Sequence, residues 1–365
     1  MIRKMGLTLT VVLSLFVGAY SAGPKEAGEY FRRGKAYHAK GEFDKAIEDF
    51  SRVIEIDPTD PTTYHSRGLS YANKGEFNKA IKDYSKATTL TPEEPTIYHN
   101  RGNAYFSLGK YDSAIEDFSK AIELGMRQAK TYGLRGFAYN QKGEYDKAIE
   151  DLSKAIAIDP KHIEAYNTRG HAYNNKNEYS KAIEDFSKVI AIMPKDAVGY
   201  GNRGLVYTQK GEYDKAIKDL SEAIKINPKY VEAYNNCGLA YQEKGDYDKA
   251  IENFSKGIAI APKYPVPYTL RGIAYTQKGD YDAAIKDFSK SLAIDPKYAA
   301  AYYRRGFAYG KKGDLDAAIK DCSKAIGIAP KYAPAYAARG LAYRGKGEYG
   351  KAAADEKRYQ SLSEK

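Results

Sequence analysis

Side chains able to donate and accept hydrogen bonds at once are concentrated in the middle of this chain: Asn140, Gln141, Asn167, Thr168, Asn174, Asn175, Asn202, Gln209, Asn235, Asn236 and Gln242. Such groups match the alternating N–H and C=O groups of an extended polypeptide, or the hydroxyls of a sugar chain, better than they match a charged ligand. Phe106, Phe137 and Leu205 interleave with them as candidate anchors for apolar side chains. Little else in the chain could do chemistry. No nucleophile motif, glycine-rich phosphate loop or pair of catalytic carboxylates stands apart from a pattern that recurs along the chain, and a recurring surface lacks the unique pre-organised centre that catalysis needs. Neither enzymatic activity nor a cofactor is expected.

The elements that must position these residues follow from that recurrence. Residues 129–162 are repeated without insertion or deletion in ten units of 34 residues, which begin at Ala27, Pro61, Pro95, Ala129, Ile163, Ala197, Val231, Pro265, Ala299 and Ala333, the last one residue short. Tyr132, Gly136 and Tyr139 stand at the spacing of one helix face, and Ala148, Leu152, Ala155 and Ile156 do the same further on. Each unit is therefore two helices. Gly143 lies where a helix end wants a residue able to turn left-handed, and the one unit without that glycine has Asn177. Asp159-Pro160 stops the second helix. Gly136 and Ala148 are small where the two helices cross closely.

A 34-residue helix-turn-helix unit with small, aromatic and proline residues at these offsets resembles the tetratricopeptide repeat. The resemblance covers about nine-tenths of the chain. Two departures are systematic: tyrosine replaces the family's frequent tryptophan at position 4, and arginine replaces leucine at position 7 in nine units. The resemblance implies an all-α, right-handed α-solenoid superhelix whose concave groove is lined by positions 2, 5, 6, 9, 12 and 13 of each unit, where every amide, hydroxyl and anchor residue named above falls. It implies an interaction scaffold whose partner is a protein or peptide. A carbohydrate-binding or polysaccharide-export accessory is the competing reading, with Phe31, Phe106, Phe137, Tyr303 and Phe307 as its candidate stacking rings. The family's two-carboxylate clamp does not carry over: position 5 is never lysine, and Asn103 is the one asparagine at position 9.

Position 7 is Arg33, Arg67, Arg101, Arg135, Arg169, Arg203, Arg271, Arg305 or Arg339, and position 23 is aspartate in the same nine units. In the seventh unit both change together, to Cys237 and Asn253. Joint loss of cation and anion predicts a pair within each unit that bridges its two helices. Cys237 and Cys322 belong to units that are not neighbours, too far apart for a disulfide. The tyrosines at positions 4 and 11 read as core packing. His38, His65, His99 and His171 fall on groove positions without an accompanying carboxylate, so solvated polar contacts are expected of them rather than a metal site.

The net charge is +11, yet lysines alternate with Glu and Asp along each unit, the pattern of a solvated face rather than of a nucleic-acid surface. Met-Ile-Arg-Lys followed by uncharged residues from Gly6 to Ala22 reads as a signal peptide cleaved before Ala22, with an uncleaved anchor as the alternative. Residues 23–26 read as a linker. An exported protein of the cell envelope or exterior is expected, with no other segment apolar enough to span a membrane. The last unit carries Asp355, Glu356, Lys357 and Arg358 on its second helix, a polar end for a stack.

Overall fold

The computed structural model describes residues 23–363, among which there are twenty helices and no strand. The signal-peptide reading lies outside the described residues. The chain divides between Ala172 and Tyr173 into two compact units. The first holds α1 (Pro24–Ala39), α2 (Phe43–Ile56), α3 (Pro61–Asn73), α4 (Phe77–Leu90), α5 (Pro95–Ser107), α6 (Tyr111–Glu123), α7 (Ala129–Gln141) and α8 (Tyr145–Ile158), and α9 (Ile163–Asn175) crosses the division. The second holds α10 (Tyr179–Ile192), α11 (Ala197–Gln209), α12 (Tyr213–Ile226), α13 (Val231–Glu243), α14 (Tyr247–Ile260), α15 (Pro265–Lys278), α16 (Tyr281–Ile294), α17 (Ala299–Lys312), α18 (Leu315–Ile328), α19 (Ala333–Gly345) and α20 (Tyr349–Ser363). Residues 24–26 are not a linker: α1 starts at Pro24, where proline's missing N–H would be unsatisfied anyway and its φ suits a first helical turn.

Each hairpin closes the same way. The glycine after the first helix is left-handed, with φ of 76° at Gly143, and Asn177 at 59° is the one non-glycine residue with positive φ among the described residues. The two helices then cross at a glycine pressed against an apolar side chain of the second helix. A Cβ on Gly136 would stand 2.8 Å from Leu152, and one on Gly204 2.6 Å from Leu220 Cγ. At that contact Phe50, Phe118, Phe186, Phe254 and Phe288 are completely buried, as are Leu220 and the alanines one turn earlier, such as Ala148 and Ala216. Burial of such a ring is worth about 1.5–3 kcal/mol, so this crossing anchors the unit.

Among the described residues, the main contacts within each compact unit join a helix to its immediate neighbours and, for the first helices of successive hairpins, to the helix two along. The core is thus a row of small clusters, such as Tyr84 with Ala80, Ile97 and Ala104 in the first unit and Leu220 with Ala216, Ala233 and Ala240 in the second. No cluster gathers the whole chain, because a hairpin hides its apolar face only against the next hairpin.

Candidate functional site

Two sets of side chains hold the candidate face in place. The arginine at position 7 makes the expected bidentate pair: Arg203 Nε and Nη2 donate to the two carboxylate oxygens of Asp219 at 2.6 and 2.9 Å, and Arg67 does the same to Asp83 at 2.8 Å on both arms. These aspartates are buried and their arginines half-buried. The third arm was not legible from the arginine alone. Nη1 reaches back to a serine hydroxyl of the preceding unit, Arg203 to Ser187 at 2.9 Å and Arg135 to Ser119 at 2.9 Å. That serine in turn donates to its own helix, Ser187 Oγ to the carbonyl of Ile183 at 2.6 Å, so the hydroxyl both accepts and donates. One guanidinium therefore joins both helices of its unit to the unit before it. Serine at position 25 in nine units, with Lys357 in the tenth, was the available signal.

The seventh unit lacks this device. Cys237 is buried, Asn253 Nδ2 turns to the carbonyl of Lys249 at 2.8 Å, and Ser221 is left exposed. Cys237 and Cys322 are both unbridged, and burial pushes their thiols up to about 11 and about 12.

The tyrosines correct the packing expectation in part. Tyr132 is buried, but most rings at positions 4 and 11 are half-buried and serve as platforms: the Arg135 guanidinium lies 5.9 Å from the Tyr132 centroid, and Lys147 Nζ 5.4 Å from that of Tyr139. The histidines correct it further. His38, His65 and His99 are not solvated contacts but fasteners between successive units of the first compact unit. His38 Nδ1 lies 2.8 Å from Ser70 Oγ, His65 Nε2 2.8 Å from Asn100 Nδ2, and His99 Nδ1 3.1 Å from Thr131 Oγ1. Desolvation pushes the His99 imidazole down to about 4, with Lys130 adding to it.

On the candidate face, Gln141, Asn175 and Gln209 are exposed, and Asn140, Asn167, Asn174, Asn202, Asn236, Leu205, Phe106 and Phe137 are half-buried. Thr168, Asn235 and Gln242 are buried. Phe106 meets Phe137 edge to face at 5.3 Å and Tyr111 at 5.7 Å, so the two proposed anchors already contact each other. Among the described residues, five amide oxygens are buried without a hydrogen-bond partner: Asn140 and Asn167 in the first compact unit, Asn174, Asn235 and Gln242 in the second. All five stand at positions 5 or 12. The Asn235 oxygen is turned inward at α14, 3.0 Å from where a Cβ on Gly257 would be. Among the described residues no three potential ligands converge on a metal position, and no helix is long and apolar enough to cross a membrane.

Sequence profiles described as TPR repeat match residues 34–75, 70–109, 136–176, 204–245 and 272–313, and one described as tetratricopeptide repeat matches 95–124, 163–196, 231–264 and 299–332. Together these span well over half of the chain. The chain is a tetratricopeptide repeat protein. The array's fold is similar to that of yeast Tom70, at 16% identity and a TM-score of 0.53 over 93% of this chain and 92% of that one. It is also similar to a tetratricopeptide repeat protein from Parabacteroides merdae, at 19% identity and a TM-score of 0.52 over 77% and 98%. At these identities the likeness is one of fold. No curated protein sequence matches the chain. A tetratricopeptide array is a scaffold-type fold for protein–protein interaction.

Proposed function

We propose that this tetratricopeptide array binds extended polypeptide along the position 5 and 12 face of its first helices. The observation that carries this reading is the set of five buried amide oxygens without donors. A buried acceptor left unmatched costs about 1–3 kcal/mol, and that cost is removed when a donor reaches it. Terminal amide torsions are soft, so the head groups turn toward a donor laid along the face. The backbone N–H groups of an extended segment supply donors at regular spacing, and Leu205 adds a half-buried apolar contact. Sugar binding is less well supported, because the rings it would use are engaged edge-on or tilted with one another, Phe106 with Phe137 and Tyr303 with Phe307 at 6.4 Å.

Panning short linear peptides against the full chain tests the reading. Near-isosteric replacement of unmatched amides, Asn140→Leu with Asn167→Leu or Asn235→Leu with Gln242→Met, leaves stability unchanged or raised. The same pairs weaken the selected peptides about tenfold or more, the worth of two lost hydrogen bonds. Peptides whose affinity ignores both pairs would overturn the proposal. We further propose export, on the basic start and uncharged run from Gly6 to Ala22. N-terminal sequencing of protein from its native host tests that, and a mature start at Met1 would remove the cleavage.

A further inference from the structure

The open face of the first helices changes sign along the second compact unit. On α13, Glu232, Asn235, Gln242 and Glu243 share one face by their spacing. Both carboxylates are exposed without an ion-pair partner among the described residues, and both amide oxygens lack a donor. The exposed charges of this face are negative, and its amides can accept as well as donate. On α15 the matching positions are neutral, Thr269 and Thr276 among them. On α17 one of them is cationic, Lys311, and a second cation, Arg304, stands one residue after the matching Tyr303. Arg304 lies 5.3 Å from the Tyr303 centroid and Lys311 5.5 Å from that of Phe307, and neither has a carboxylate partner among the described residues. Lys311, Phe307, Leu315 and the largely exposed Leu341 rim a hollow of about 170 Å³. A space of roughly 150 Å³ holds one benzene-sized apolar group.

α13, α15 and α17 touch in succession. Packed helices lie about 8–10 Å apart, so the acceptor face and the cationic face are about 16–20 Å from each other. An extended chain at about 3.3 Å per residue covers that in five or six residues.

We propose that the α13–α17 face selects a bipolar polypeptide segment, with a cationic residue over α13 and, about five or six residues along an extended strand, an anionic residue next to an apolar one over α17. This rests on the polypeptide-binding reading above and adds to it the ligand's charge order and spacing. The carboxylates and amide oxygens of α13 take the cation, Arg304 and Lys311 take the anion, and the neutral α15 face passes the backbone between them. The hollow beside Phe307 takes the apolar neighbour.

Fluorescence anisotropy on the full chain with labelled peptides of a single composition tests this. Each holds two arginines, two glutamates, one leucine beside the glutamates, and serine or threonine elsewhere. In one the opposite charges sit about five residues apart; in the other they alternate as neighbours. The spaced peptide is expected to bind at least about tenfold tighter. Glu232→Lys with Glu243→Lys, both at exposed positions, is expected to abolish that preference and to favour instead a spaced peptide with glutamates at both ends. Circular dichroism confirms that this variant keeps its helices. Equal binding of spaced and alternating peptides would overturn the charge register while leaving polypeptide binding intact. Binding of neither peptide, with peptides from the panning still bound, would overturn the register alone, and no peptide bound in either assay would overturn both readings.

Discussion

His99 shows how one side chain ties stability to pH. It is buried between Thr131 on α7 and the Phe118 ring on α6, 5.7 Å away, with Lys130 as the nearby charge. Its folded-state proton affinity is depressed to about 4, below the ordinary value of about 6.5. The unfolded chain therefore takes up the proton first as pH falls. The stability His99 contributes is full above about 6.5 and is lost between there and about 4. His65 and His38 are depressed in the same direction by burial, so they act in the same sense. The urea midpoint is expected to drop across this window, and His99→Gln, which keeps a hydrogen-bonding group toward Thr131, is expected to reduce the drop. An identical pH slope in the variant would remove His99 from the account.

At the scale of the helix pair, the seventh unit is the natural experiment. Cys237 and Asn253 replace the arginine and aspartate, and Ser221 of the preceding unit goes without its partner. Cys237→Arg alone would place a guanidinium in a buried position with no carboxylate and is expected to cost about 3 kcal/mol or more. Adding Asn253→Asp should recover most of that loss, because the pair and the Ser221 bond can then form as they do around Arg203. Hydrogen exchange should slow in α12 and α13 of the double variant relative to the natural chain, since the added clamp joins those two hairpins. A double variant no more stable than the single one would show that the site cannot accommodate the clamp. Pairing within a unit was legible from the joint change at Cys237 and Asn253. The serine arm was not, because a serine on a helix reads equally well as solvent-facing.

For the molecule as a whole, the consequence of a core divided among neighbouring hairpins is modular stability. Among the described residues the main contacts reach the adjacent helix and the one beyond it, so burial of a hairpin depends on its neighbours. A fragment of residues 163–365, which keeps α9 entire and contains the second compact unit, is expected to fold alone. Its helical content per residue should match that of the full chain, with a cooperative urea transition, by circular dichroism. A disordered fragment would mean that the first compact unit is required for folding. The surface lysines fit the same modular picture. Lys142 Nζ reaches Asp112 of the preceding unit at 2.6 Å, and Lys244 reaches Asp214 in the same way. Such exposed pairs are worth at most about 1 kcal/mol each, so packing and the buried clamps decide stability.

By itself the sequence determined whatever lies within one repeat: two helices from the spacing of Tyr132, Gly136, Leu152 and Ala155, the left-handed turn at Gly143, the close crossing at Gly136, and the pairing of arginine with aspartate. These follow from helical periodicity and steric size, which act over a few residues and are written in each unit. Tertiary structure alone decided what happens between repeats: the serine that takes the third arm of arginines such as Arg135 and Arg203, and the histidines that fasten successive units. It also decided which amides are buried with no donor. The reason is geometric, since the step that rotates one hairpin onto the next sets these contacts, and no single unit's residues encode that step.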